Sequence, residues 1–121
     1  MTTAGIIIIG NEILSGKVTD KNSPYLCREL RILGVEVKQI ITIPDVPEVI
    51  GKTALDFSKR FTWVFTSGGI GPTLDDVTVA SIAMEFGAAL YESPRIMEAI
   101  YKYRGENMTD AHRRMAMIPE G

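Results

Sequence analysis

Short apolar runs alternate with segments of helical periodicity along this chain. Ala4 to Ile9 is a continuous apolar run, which is typical of a strand that is buried on both faces of a sheet. Val35 to Ile43 is a second strand-like run, and Thr62 to Thr66 is a third that ends at a glycine-rich loop. Helical segments separate these runs, so the pattern predicts parallel strands joined by right-handed crossovers.

Start and stop signals predict the first two helices. Asn22 or Ser23 caps the first, and Pro24 takes its first helical position, where the missing N–H costs nothing. Asp45 and Glu48 resemble a capping box that opens the second. The buried faces of these two helices are predicted to contain Leu26, Leu30 and Leu33, and Ile50, Ala54 and Phe57.

Three further helices are predicted after the glycine-rich loop. The buried face of the first contains Val79, Ile82, Ala83 and Phe86. Ser93-Pro94 starts another that runs to about Arg104, and Thr109 or Asp110 caps a short last one. The expectation is one doubly wound, mostly parallel α/β domain over residues 1–121. Since no closing element precedes Gly121, we expect more protein to follow.

The amino-acid composition limits which binding partners and which cellular compartment are expected for this protein. Hydrophobic residues make up 45% and charged residues 23%, which is ordinary for a globular protein and argues against disorder. A net charge of −2 predicts no nucleic-acid or membrane partner. The initial apolar run is too short for a signal peptide. A single cysteine, Cys27, and a single histidine, His112, exclude zinc-finger and His/Cys metal sites and fit a cytoplasmic protein.

The strongest candidate site is the glycine-rich loop, Ser67 to Asp76. In an open α/β sheet, ligands bind beyond the carboxyl ends of the strands, where this loop is predicted to lie. Gly68, Gly69 and Gly71 permit unusual backbone conformations that let N–H groups converge on an anion. The loop is neither a P-loop nor a dinucleotide fingerprint. A phosphate cradle and an empty tight turn are about equally compatible with these glycines.

Two adjacent aspartates follow the glycines. One of Asp75 and Asp76 suffices to cap the next helix, so the pair exceeds that need. An acidic pair beside a phosphate cradle requires a bridging cation, and Mg²⁺ typically takes one or two carboxylates with water and phosphate oxygens. We therefore interpret Asp76 as a metal-binding or catalytic group.

The other two loops at this edge of the predicted sheet supply further polar groups. Glu12 and Asp20 follow the first strand and Asp45 follows the second, although a solvated Glu12, a turn-stabilising Asp20 and a capping Asp45 are the plainer alternatives. The amides of Asn11 and Asn22 could reach a ribose or pterin ring, and Asn22 serves equally well as a cap.

Several other residues favour a structural interpretation. Cys27 lies beside the buried stripe of the first helix, and Met115 and Met117 favour packing. The late segment His112-Arg113-Arg114 is interpreted as a solvated face, with a phosphate contact from Arg113 or Arg114 as the less favoured alternative.

Two long motifs together resemble a known family. Gly68-Gly69-Ile70-Gly71-Pro72-Thr73-Leu74-Asp75-Asp76-Val77-Thr78 resembles the Gly-Gly-x-Gly...Asp-x-Thr motif of the molybdopterin-binding (MoaB/Mog-like) fold. Gly10-Asn11-Glu12-Ile13-Leu14-Ser15-Gly16 with Asp20-x-Asn22 resembles the first loop of CinA-type proteins and of the molybdopterin-binding-like domain of FAD synthases. The resemblance covers almost the entire chain.

This resemblance implies a three-layer α/β/α fold and a set of site residues. Asp45 and Asp76 match the aspartates required for catalysis in molybdopterin adenylyltransferases, which use Mg²⁺ and ATP. The ligand- and phosphate-binding candidates are Gly10, Asn11, Glu12, Asn22, Ser67, Gly68, Gly69, Ile70, Gly71, Pro72, Thr73 and Thr78. The metal-binding candidates are Glu12, Asp20, Asp75 and Asp76.

Three functions are compatible with these residues. The CinA-type branch implies metal-dependent hydrolysis, with Mg²⁺ or Co²⁺, of the pyrophosphate bond in ADP-ribose or FAD. The alternatives are adenylyl transfer in molybdenum cofactor biosynthesis and a catalytically silent module that binds a pterin, such as molybdopterin, or an adenine nucleotide. Because the first loop here matches the CinA type, adenylyl transfer ranks below the other two. Analogy with related domains also implies a homo-oligomer.

Overall fold

The computed structural model describes residues 1–121, and its central sheet consists of three parallel strands. Strand β1 (Thr3–Ile9) lies in the middle, flanked by β2 (Glu36–Ile43) and β3 (Trp63–Ser67). All three predicted strands are confirmed. The helices are α1 (Asn11–Leu14), α2 (Asn22–Ile32), α3 (Pro47–Arg60), α4 (Thr78–Glu85), α5 (Pro94–Arg104) and α6 (Asp110–Arg114), with a 3-10 turn at Gly105–Asn107.

Alternating side chains of β1 bury both faces of the sheet. Ile7 and Ile9 pack against α3, where Phe57 is almost fully buried. Ile6 and Ile8 point to the opposite face and pack against Leu30 of α2. The predicted three-layer α/β/α, doubly wound and mostly parallel fold is therefore confirmed.

This winding gathers three loops at one edge of the sheet. The chain passes from β1 to β2 through α2 on one face, and from β2 to β3 through α3 on the other. The carboxyl ends of the strands therefore open into a crevice at the switch in direction. Residues 10–21, 44–46 and 68–77 follow those ends, as the sequence predicted.

The last third of the chain forms a small antiparallel pair that the sequence did not predict. Strands β4 (Leu90–Glu92) and β5 (Met117–Pro119) contain three residues each, too few to show a period. Helix α5 between them begins after Ser93, whose Oγ accepts a hydrogen bond from the Ile96 N–H at 3.3 Å, and ends at the predicted Arg104.

Strand β2 contains an irregularity at its amino-terminal end. Its pairing with β1 shifts by one residue between Ala4 and Gly5, which leaves Lys38 without a partner on β1. The Lys38 ammonium lies 2.8 Å from the Glu36 carboxylate. Because β2 is at the edge of the sheet, this bulge lies on an open flank.

Two predicted helix starts are wrong. Helix α2 begins at Asn22, which makes Pro24 its third residue, because Asp20 Oδ1 accepts hydrogen bonds from the N–H groups of Asn22 and Ser23 at 3.0 and 3.1 Å. Asp45 does not cap α3, since its carboxylate bonds to another loop.

Two residues predicted on buried helix faces are exposed. Leu33 is 74% exposed and Phe86 is 47% exposed. Each is the first residue after its helix, so its side chain leaves the buried stripe.

Asp20→Ala is expected to lower the free energy of unfolding by about 1 kcal/mol, the usual cost of removing a helix cap. The mutation leaves two main-chain N–H groups and the Ser23 hydroxyl, which donates to Asp20 Oδ2, without their acceptor. Urea denaturation measures the change, and Lys21→Ala, at an exposed neighbour, is the control. Equal stability of the two variants would show that the cap is unimportant.

None of the helices combines the length and the hydropathy of a bilayer-spanning segment.

Candidate functional site

A cleft of about 600 Å³ lies at the carboxyl edge of the sheet. Loops after all three parallel strands contribute to its walls. Its polar lining, which defines the acidic cleft, consists of Asn11, Glu12, Ser15, Lys17, Asp45 and Asp75. Three carboxylates predicted to lie at one edge, those of Glu12, Asp45 and Asp75, therefore do line one cavity.

A reciprocal pair of hydrogen bonds joins two loops at the base of this cleft. Asp45 Oδ2 accepts from the Asn11 N–H at 3.1 Å, and the Asp45 N–H donates to Asn11 Oδ1 at 3.2 Å. This pair fixes the Asp45 carboxylate and leaves Oδ1 without a hydrogen bond from the protein. Asn11 is thus a positioning group, and its predicted contact with a ribose or pterin stays a prediction.

Close packing explains two of the glycines in the glycine-rich loop. Gly68 and Gly69 have φ angles of 109° and 69°, a region that side chains disfavour. A Cβ on Gly68 would overlap the Ile9 carbonyl oxygen, and one on Gly69 would overlap the Thr78 hydroxyl. Thr78 closes the base of the loop, because its Oγ1 donates to the Gly68 carbonyl at 2.8 Å and its N–H donates to the Gly69 carbonyl at 3.1 Å.

The same loop presents free hydrogen-bond donors. The main-chain N–H groups of Gly68, Gly69 and Ile70 have no protein acceptor. These are the donors that a phosphate cradle requires. Gly71 differs from expectation, since its φ is not positive. It is a glycine because a Cβ there would lie 2.8 Å from Asp76 Oδ2.

The Asp76 carboxylate forms hydrogen bonds within the glycine-rich loop. Its Oδ2 accepts hydrogen bonds from the Thr73 N–H at 2.9 Å and from the Thr73 hydroxyl at 2.8 Å. Burial raises the pKa of Asp76, but hydrogen bonds from the Thr73 side chain and from the main chain of Thr73 and Gly71 outweigh it, so the pKa lies below 3.8. Asp76 is therefore ionised at neutral pH, beside the acidic cleft and not among its lining residues.

Thr73→Val is expected to raise the pKa of Asp76 toward its ordinary value of 3.8, because one of the outweighing hydrogen bonds is lost. The pKa of Asp76 is lower in the folded than in the unfolded protein, so its ionised form stabilises the fold. That stabilisation is complete at a pH above the unfolded-state pKa and is lost as the pH falls through the folded-state pKa. NMR titration of the carboxyl carbon, in the wild type and in Thr73→Ser as the control, measures the shift. An identical titration in the valine variant would contradict this assignment.

A second, smaller cavity adjoins the acidic cleft. This minor cleft, of about 260 Å³, has Glu12, Asp20, Asn22, Ser67 and Gly68 among its lining residues, so Glu12 belongs to both cavities. Asn22 Nδ2 donates to Ser67 Oγ at 2.7 Å, which joins the start of α2 to the end of β3. Gly10 lies under the Glu12 carboxylate and supplies no side chain to either cavity.

The structure does not gather the four predicted metal ligands into one cluster. Glu12 and Asp75 line the acidic cleft, whereas Asp20 caps α2 and Asp76 bonds to Thr73. No three acidic, histidine or cysteine side chains lie close enough together to hold a metal ion. Local hydrogen bonds already engage two of the four carboxylates, and the set of metal ligands stays a prediction.

Lys17 is a functional candidate that the sequence analysis missed. It is the one positively charged side chain that lines the acidic cleft, and it forms no ion pair. The only signal for Lys17 in the sequence is its position in the loop that follows β1.

The late segment His112-Arg113-Arg114 is not only solvated, because its side chains also contact other parts of the protein. Arg114 Nη2 donates to the Pro72 carbonyl of the glycine-rich loop at 2.9 Å. Arg113 lies 3.3 Å from Glu92, and His112 Nδ1 bonds with Thr109 at the start of α6, which confirms Thr109 as a cap.

The chain is similar to named relatives and to solved structures. The chain is 37% identical over 122 residues to a CinA-like protein of Trichormus variabilis, which covers 98% of this chain and 29% of that protein. It is 40% identical over 101 residues to a "Probable FAD synthase" of Caenorhabditis briggsae, which covers 84% of this chain and 19% of that protein. The chain spans about half the length of three further curated relatives, from Aeropyrum pernix, Archaeoglobus fulgidus and Pyrobaculum calidifontis.

Among solved structures, a CinA protein of unknown function from Thermoplasma acidophilum has a TM-score of 0.88 at 30% identity, over 98% of this chain and 71% of that one. The tungsten cofactor synthesizing protein MoaB of Pyrococcus furiosus has a TM-score of 0.67 at 25% identity, over 87% of this chain and 66% of that one. The family model described as "Probable molybdopterin binding domain" matches residues 5–118. The chain thus belongs to the molybdopterin-binding domain family, as a CinA-type member with MoaB/Mog relatives.

Proposed function

We propose that this domain binds a nucleoside diphosphate-linked compound, such as ADP-ribose or FAD, and hydrolyses its pyrophosphate bond with the help of a divalent cation. The observation that carries the proposal is the acidic cleft, which is lined by Glu12, Asp45 and Asp75 together with Lys17. Gly68, whose N–H has no protein acceptor, lines the minor cleft, and that cleft shares Glu12 with the acidic cleft.

The carboxylates fit a cation that arrives with its phosphate ligand. Mg²⁺ typically keeps several waters and takes one or two carboxylates together with substrate phosphate oxygens. Glu12, Asp45 and Asp75 do not form an all-protein metal site, so one or two of them would hold the cation together with phosphate oxygens and water. Mg²⁺ or Co²⁺ held there would neutralise phosphate charge and polarise a phosphoryl oxygen.

The protein groups have separable roles in this proposal. Asp45 Oδ1, free of protein partners and oriented through Asn11, accepts a proton from the attacking water. Lys17 and the free loop N–H groups bind phosphate oxygens, which offsets the negative charge of the cleft. Asp76, kept ionised by Thr73, shapes the loop beside the cleft.

A screen for AMP tests the proposal. The protein is incubated with ADP-ribose or FAD and with Mg²⁺ or Co²⁺, and chromatography measures AMP together with ribose 5-phosphate or FMN. The expected result is product release that chelation by EDTA abolishes. Absence of AMP from both substrates with both metals would overturn the hydrolase proposal.

Two alternatives have their own support and tests. The likeness to MoaB favours adenylyl transfer, which predicts release of pyrophosphate that depends on both ATP and molybdopterin. A silent binding module, for which molybdopterin or an adenine nucleotide is the proposed ligand, predicts thermal stabilisation by the ligand without product. Under each of these functions we propose a cytoplasmic homo-oligomer that has a small-molecule phosphate ligand and neither nucleic acid nor membrane as partner.

A further inference from the structure

We propose that Arg114 is a positioning residue that holds the tip of the glycine-rich loop in its phosphate-binding conformation. The inference rests on the proposed function, because it concerns the loop that supplies the phosphate donors. The direct observation is the hydrogen bond of 2.9 Å from Arg114 Nη2 to the Pro72 carbonyl oxygen, between residues 42 positions apart.

Polar contacts define the shape of this loop, because little apolar surface is buried along it. Ile70 is 60% exposed and Leu74 is 85% exposed. Thr78 anchors the base of the loop, and the Asp76 carboxylate joins its interior through Thr73. Segments with few apolar contacts open locally at low free energy, so each remaining polar contact has a large local effect.

The arginine is the contact that restrains the tip from outside the loop. Pro72 lies between the anchored base and the Asp76–Thr73 closure, and its carbonyl accepts from Arg114. Loss of this bond would free the tip while leaving the base intact.

Helix α6 is itself well fixed, so it can act as a support. The Ser93 N–H donates to the Ala116 carbonyl at 2.8 Å, just beyond the end of the helix. Ala116 is completely buried, and the Thr109 capping box closes the start of the helix. The Arg114 side chain therefore extends from an ordered backbone toward the loop.

The chemistry of the guanidinium suits this role. One N–H group satisfies the Pro72 carbonyl, while the fixed positive charge remains beside a loop that must attract an anion in a chain of net charge −2. Holding the loop before binding removes part of the ordering cost from the binding step. Loss of the Arg114 side chain should therefore weaken binding of the phosphate ligand more than it lowers the stability of the fold.

Hydrogen exchange tests the positioning role without any ligand. The amides to follow are those of Thr73 and Asp76, which are hydrogen-bonded within the loop. We expect Arg114→Ala to speed their exchange by about three- to tenfold, the equivalent of one ordinary hydrogen bond, while exchange in β1 stays unchanged. Arg113→Ala, on the same helix with an ion pair to β4 instead, is the matched control and should leave the loop amides at the wild-type rate.

Steady-state kinetics with ADP-ribose and Mg²⁺ provide the second measurement. Arg114→Ala should raise KM about three- to tenfold with little change in kcat, and Arg114→Lys should restore part of the loss. Loop exchange that is the same in Arg114→Ala and the wild type, or equally fast in Arg113→Ala, would overturn the inference. Absence of AMP with the wild-type protein would instead overturn the proposed function, and the exchange experiment would still decide the role of Arg114.

Discussion

Asp45→Asn is expected to lower kcat/KM for metal-dependent AMP release by a factor of about 100 or more, the usual range for loss of a proton-transfer group. Asparagine has the same shape, and its side-chain oxygen can still accept from the Asn11 N–H, so the joint between the two loops persists. The mutation therefore removes the negative charge and the proton acceptor of the acidic cleft while keeping the fold. Initial rates of AMP release from ADP-ribose at saturating Mg²⁺ measure the effect.

A carboxylate on the following helix supplies the control for this experiment. Asp56 is exposed on α3 and pairs with Arg60 at 2.8 Å, outside the cleft lining. Asp56→Asn should retain the wild-type rate, and both variants should unfold near the wild-type temperature. If Asp45→Asn kept more than about a third of the activity, Asp45 could not be the proton acceptor.

Gly68→Ala should have the largest effect on stability, with a loss of at least about 2 kcal/mol in the free energy of unfolding. Two causes combine, since the residue has a φ of 109° and the added Cβ would overlap the Ile9 carbonyl oxygen of β1. For a domain of this size the melting temperature should fall by roughly 10 °C. Phosphate-ligand affinity should fall as well, because the loop and the end of β1 must separate.

Gly34→Ala separates these two causes. Gly34 also has a positive φ, of 79°, but a Cβ there would meet nothing within 4 Å. Its variant should therefore lose only the conformational part, about 1 kcal/mol. Differential scanning calorimetry of both variants makes the comparison, and equal losses would mean that the contact with Ile9 carries no cost.

The sequence predicted the elements that depend on local pattern. The apolar run of β1 and the buried stripe of α3 follow directly from side-chain periodicity, and both are confirmed. The edge where the loops meet follows from the order of strands and helices, because a parallel sheet places all carboxyl ends on one side. Family membership follows from the two long motifs.

The missed features depend on contacts between distant or competing groups. Asn11 bonds to Asp45 across 34 positions, and Arg114 reaches Pro72 across 42, which no local period can indicate. Asp20 and Asp76 were interpreted as cation ligands, whereas neighbours three positions away engage their oxygens first. A carboxylate that satisfies a backbone donor nearby is less available to a distant cation, and the spacing alone does not show which partner prevails.

The bulge at Lys38 has a consequence for how copies of this protein meet. A flat, regular edge strand offers evenly spaced donors and acceptors to which another chain can add a strand. The extra residue interrupts that spacing on the open flank of β2, and it places a charged side chain there. Assembly through a sheet that continues from one copy into the next is thereby disfavoured, which protects a concentrated solution of folded molecules against fibrous aggregation.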